Sequence, residues 1–113
     1  MLFRSELFTI RFGKNVVNLL CRDIVYLESN KRKVIVHTVR GEYEYYHKLD
    51  EAEEELLAIS ADFVRIHKAY LVNMEHVEAF QYEKLALRDG TILSISEAHR
   101  ANVRSRFWEW GSE

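Results

Sequence analysis

A mostly β domain of short strands, forming a sandwich or barrel and carrying two small helices, is the fold class the sequence predicts. Three observations predict it. Apolar and polar residues alternate over short runs along most of the 113 residues, the pattern of strands with one buried face. Turn signals at Gly13-Lys14, Arg40-Gly41 and Asp89-Gly90 punctuate those runs, as hairpins require. Only two segments switch clearly to the helical period.

Taken in order, Phe8, Ile10 and Phe12 alternate with Thr9 and Arg11 and give a first strand. After Gly13-Lys14, VVNLL reads as a second strand and IVYLES as a third. KVIVHTV and EYEYYH flank Arg40-Gly41 and read as a hairpin. LDEAEEELLA is helical: Leu49, Ala52, Leu56 and Leu57 make one stripe, and its early acids suit the positive end of the helix dipole. FVRI is a strand, and HKAYLV is expected to add a short turn of helix after it. HVEAFQY, KLALRDG and TILSIS complete the strands. From Glu97 to Trp110 the period is helical again, with Ser96 as the expected cap and Val103, Phe107 and Trp110 on one face.

The bulk numbers narrow the class. Hydrophobic residues at 48% and charged ones at 30% are the balance of an ordinary globular domain, and 113 residues suffice for one core. No apolar run is long enough to cross a bilayer and no basic-then-apolar leader opens the chain, so the expected location is the cytoplasm. Residues 1–6 read as a linker or an added start, residues 7–110 as the domain and residues 111–113 as a tail. The lone cysteine, Cys21, lies in an apolar stretch and is expected to be buried and inert.

A net charge of -2 hides an uneven distribution. Asp50, Glu51, Glu53, Glu54 and Glu55 fall in one hexamer; with those five set aside, 16 basic residues face 13 acidic ones. The cations gather at Lys31-Arg32-Lys33, at Arg65 and Lys68, and at Arg100, Arg104 and Arg106. One positive and one negative face are compatible with that pattern, as is a mixed surface.

Catalysis has little support. The histidines, His37, His47, His67, His76 and His99, include no helical pair spaced for zinc, and no cysteine pair completes a site. No metal and no cofactor is therefore expected. No glycine-rich phosphate cradle or nucleophile elbow occurs either. The segment FVRIHKAYLVNMEHVEAF is more informative, because it sets Arg65, His67, Lys68 and Asn73 among apolar residues. Arg and Lys bind phosphate oxygens, and Asn bonds a base edge or a phosphate. The competing reading is a strand and turn whose polar side chains cap backbone groups.

RIHKAYLVN resembles the central signature of the LytTR family of DNA-binding domains. The helix before it, DIVYLESNKRKVIVHT with its hairpin, and the late DG turn, strand and SEAHR follow that family's order over residues 8–108. The resemblance implies short antiparallel strands in stacked sheets with small helices, and binding of double-stranded DNA through loops, with bending of the duplex. It implies three contact regions: Asn30, Lys31, Arg32 and Lys33 in the basic loop; Asn73 of YLVN, with His67 and Lys68 close by; and the start of the last helix. In relatives a receiver domain usually precedes this one, and pairs of domains occupy repeated sites; this chain is either a piece of such a regulator, with the receiver missing from it, or a stand-alone member.

The chain departs from the family at the third region. Glu97 stands after Ser96 where Arg is usual, and Leu93-Ser94-Ile95 lacks the usual Pro. An acid repels phosphate; it is left either accepting from cytosine N4 or serving as a helix-start acid, with Arg100 taking over the contact. The rival to DNA binding is a protein-interaction module built on the acidic helix and on Tyr43, Tyr45 and Tyr46.

Overall fold

A computed structural model describes residues 6–111. The linker expected at 1–6 lies outside them except for Glu6. Of the expected tail only Gly111 is described, and it is helical.

Among the described residues, ten strands and two α-helices form three layers. β1 (Leu7–Phe12) and β2 (Asn15–Leu20) pair as a hairpin across Gly13-Lys14. β3 (Ile24–Asn30), β4 (Lys33–Thr38) and β5 (Gly41–Tyr46) are three consecutive antiparallel strands. Helix α1 (Leu49–Leu57) follows, then β6 (Phe63–His67) and β7 (Tyr70–Asn73). These complete a central sheet in the order β5-β4-β3-β7-β6. The third layer is the sheet of β8 (Val77–Phe80), β9 (Lys84–Leu87) and β10 (Ile92–Ser94), with helix α2 (Arg100–Gly111).

Alternation along the central strands builds two cores, because successive side chains point to opposite faces. Leu27, Val34, Val36, Phe63 and Leu71 meet Phe8, Ile10 and Leu19 of the β1–β2 hairpin and the buried stripe of α1. Val25, Val64, Ile66 and Val72 face the other way, against Leu85, Leu87, Leu93 and Val103. In α1 the buried residues are Leu49, Ala52 and Leu56, and each leucine contributes about 1.5–3 kcal/mol by leaving water. Leu57, expected in that stripe, is exposed, and Ile59 packs against the core instead.

Two elements differ from expectation. HKAYLV makes no helix: His67 ends β6, Lys68-Ala69 turn, and Tyr70 begins β7. The register shifts between Arg65 and His67, and Ile66 between them is buried on the same face as Val64. The last helix also starts later, since Glu97–His99 form a 3₁₀ turn before α2. Ser96 makes no side-chain capping bond to a backbone amide there; its Oγ lies 2.6 Å from His99 Nδ1.

Candidate nucleic-acid interface

In the β3–β4 hairpin, Asn30 pairs with Lys33, so the expected basic loop is a turn of only two residues, Lys31 and Arg32. Lys31 has a φ of 60°, at a turn position that hairpins usually give to glycine. A left-handed conformation costs a side-chain-bearing residue roughly 1–2 kcal/mol. The His47 amide donates to Arg32 O at 3.3 Å and braces the turn. Lys33 leans toward β5: Nζ lies 3.0 Å from Glu44 Oε1 and 5.0 Å from the centre of the Tyr46 ring. The bond to Glu44, then its charge, holds the Lys33 ammonium above its ordinary pKa. Lys31 and Arg32 remain fully on the surface.

The β6–β7 turn is closed by side chains. Arg65 donates from Nε to His67 O at 2.7 Å and from Nη2 to Lys68 O at 2.6 Å. Its Nη1 reaches Asp50 and Glu53 of α1, at 2.7 and 2.8 Å. The Ala69 amide donates to His67 Nδ1 at 3.0 Å, and the Ser29 amide donates to Ala69 O at 2.9 Å. An imidazole that accepts through Nδ1 is neutral and carries its proton on Nε2. Burial, then the nearby charges of Lys68, His99 and Arg65, lower the His67 pKa. Lys68 projects from the turn into solvent.

The two turns stand side by side. Lys31, Arg32, Lys48 and Lys68 line one open cleft of about 880 Å³, together with Asp50 and Glu51 at the start of α1. Lys48 carries no signal that the sequence reading used, because it is the residue just before α1. The third expected region adjoins them: the Ser96 amide donates to Ile66 O at 3.0 Å, behind the β6–β7 turn. Glu97 is exposed and has no ion pair among the described residues. Arg100 Nε donates to Ile95 O at 3.1 Å.

Asn73 stands apart from this surface. It is 1% exposed. Its Nδ2 donates to the carbonyls of Ile24 and Cys21 at 2.9 and 3.2 Å, and its Oδ1 accepts from the Glu75 amide at 3.0 Å. The side chain therefore caps the 3₁₀ turn Met74–His76 and ties it to the start of β3. A base contact requires breaking two buried hydrogen bonds and one part-buried one, so in the free domain Asn73 takes the capping role, the competing reading of the segment. The signal was in the sequence: Asn ending an apolar strand just before Met-Glu-His is a capping residue in its ordinary place.

The features behind the protein-interaction reading are largely used internally. Tyr45 is buried in the first core and Tyr43 packs against it; of the three tyrosines only Tyr46 is strongly exposed, at 75%. Arg65 pairs with Asp50 and Glu53, and His47 lies within 3.6 Å of Glu51 and 3.2 Å of Glu55. Cys21 is buried, and burial, then Glu6 and Asp62, push its thiol up to about 11, which leaves it protonated and unreactive near neutrality. Among the described residues, no three His, Cys, Asp or Glu side chains are grouped to hold a metal.

Cationic hairpin turns on a three-layer β scaffold are a surface that can meet an anionic partner such as nucleic acid. Residues 14–108 match the family described as the LytTr DNA-binding domain, and the chain belongs to that family. It is 25% identical over 97 residues to the Sensory transduction protein LytT of Bacillus subtilis (strain 168), covering 81% of this chain and 39% of that protein. It therefore spans about two fifths of that relative. The fold is also that of a solved domain from Bacillus cereus, described as the LytTr DNA-binding domain of a methyl-accepting/DNA response regulator. The TM-score is 0.75 at 19% identity, over 92% of this chain and 98% of that one. The family is a DNA-binding one and not a class of enzyme. No helix among the described residues is long and apolar enough to cross a membrane.

Proposed function

We propose that this chain binds duplex DNA sequence-specifically as the output domain of a transcriptional regulator, holding the duplex across its two cationic hairpin turns. The observation that carries the reading is the convergence of Lys31, Arg32 and Lys68 on one cleft. Lys31 is held there despite an unfavourable backbone angle; strain of this kind gathers at binding sites. Lys and Arg on tight turns make phosphate contacts that set position, and base discrimination falls to the few side chains that reach a groove. Lys31, Arg32 and Lys68 are those we assign, flanked by Asn30 and Lys33, with His67 behind the turn and Arg100 beyond it. Asn73 contributes through the fold.

Turns give few fixed base contacts, so part of the specificity comes from the sequence dependence of bending the duplex. The Bacillus subtilis relative is more than twice as long and is named as a sensory transduction protein. That length and name support a phosphorylatable receiver as a partner domain; pairs of domains on repeated sites and a cytoplasmic place of work are further parts of the proposal. Selection from a pool of random duplexes tests the reading. We expect a recovered motif, and a log–log salt slope of roughly -0.9 for each phosphate contacted. Failure to enrich any sequence, or a flat salt response, overturns it.

A further inference from the structure

Residues 98–106 hold three arginines and no acid, and the fold uses them differently. Arg106 Nη2 donates to the carbonyls of Ala61 and Phe63, at 3.0 and 2.9 Å, and pins α2 to the start of β6. Arg100 and Arg104 converge instead on Tyr82, in the connection between β8 and β9. Their guanidinium carbons lie 5.9 and 5.7 Å from the centre of its ring. Tyr82 is 49% exposed and Arg104 is also exposed. No ion pair joins either arginine to a carboxylate among the described residues.

Two like charges four residues apart on a helix repel each other, and the face of an aromatic ring offsets only part of that. An anion bound between them offsets the rest. The position of the patch indicates which anion. Arg100 follows directly on His99, whose Nδ1 lies 2.6 Å from Ser96 Oγ, and the Ser96 amide donates to Ile66 O of β6 at 3.0 Å. Through that bond, and through the Ile95 amide that donates to Glu83 O at 2.9 Å, the segment before α2 links the β6–β7 turn to the β8–β9 connection that carries Tyr82. Two exposed acids, Glu83 beside Tyr82 and Glu97 one turn before Arg100, lie along that path. Guanidinium forks match phosphate oxygens bidentately, and a phenol adds a further donor.

We infer that Tyr82, Arg100 and Arg104 form a second phosphate-binding patch, which holds the backbone of the same duplex beyond the stretch met by the hairpin turns. The inference rests on the DNA-binding reading above and adds Tyr82 and Arg104 to the contact set.

The test uses the full chain and the duplex that the wild type recovers from the random pool. Arg104→Ala is expected to flatten the salt slope by about 0.9, so that its disadvantage against wild type shrinks about 3.5-fold between roughly 50 and 200 mM salt. The preferred sequence is expected to stay the same. Phosphate ethylation interference should lose one position at the edge of the contacted region. Tyr82→Phe keeps the ring and should retain that position, whereas Tyr82→Ala should lose it. Melting curves establish that each variant is folded, and Arg104→Lys, which keeps the charge, should restore the slope. If the wild type binds DNA while Arg104→Ala and Tyr82→Ala leave slope and interference pattern intact, this inference falls and the hairpin-turn reading stands. If the wild type recovers no duplex, both fall.

Discussion

The amide of Asn73 is engaged at both ends, and the cost of losing it is a matter of stranded partners. Asn73→Ala takes a donor from the carbonyls of Ile24 and Cys21, the latter still bonded to the Ile24 amide, and the acceptor from the Glu75 amide, which costs about 1–3 kcal/mol. The urea midpoint should drop accordingly, while the folded fraction keeps the wild-type preference for one DNA sequence over another. An unchanged midpoint with lost sequence preference would reinstate a base contact. His67 is sensitive to pH for a related reason: protonation takes away the lone pair that receives the Ala69 amide. Its folded pKa is lowered from the ordinary 6.5. Its contribution to stability is therefore complete above that value and is lost as pH falls below it toward the folded pKa. His37 and His47 sit beside carboxylates, so the comparison must isolate His67. The stability difference between wild type and His67→Gln should shrink as pH drops from 7.5 to 5.5. A difference independent of pH refutes the role given to the ring.

The strands were legible in the sequence because a period of two is a local property, and α1 because its stripe recurs within nine residues. The β6–β7 turn was not. Lys68-Ala69 contains no Gly, Asn, Asp or Pro, and the residues that close it, Arg65 and His67, belong to the strand before it. A turn stabilised by side chains leaves no turn signature in its own residues. Asn73 was legible only as a choice between contact and cap, since a short polar side chain in a basic segment looks available until the backbone groups around it are known. The β3–β4 turn was legible as a basic loop, but not its strain. Lys31→Gly removes that strain and should stabilise the domain by up to about 1–2 kcal/mol. It also removes a cation, so DNA affinity should fall for every sequence, with a salt slope shallower by about 0.9. A variant that is both more stable and binds as tightly as wild type would show that Lys31 points away from DNA.

Over the whole molecule, the net charge of -2 conceals an arrangement in which acids of α1 neutralise Arg65 and meet His47 while other cations remain on the turns. Which cations are free is a property of packing, and it is invisible in a charge count. Glu97, exposed at the start of the 3₁₀ turn before Arg100, has no ion pair among the described residues. Glu97→Arg should tighten binding and steepen its salt dependence, at a cost of a few tenths of a kcal/mol from a cation near the start of a helix. A shift in preferred base with unchanged salt slope would mean instead that Glu97 reads a cytosine. The order of the strands also lay beyond the sequence pattern, because alternation names the faces of a strand but not its neighbours. That order places β3 and β7 in the middle of the central sheet, with one core on each side. Neither outer layer can come away without baring a wall that the other still needs. The three sheets should therefore melt as one cooperative unit, and the amide protons of β3 and β7 should exchange with solvent only when the entire chain opens.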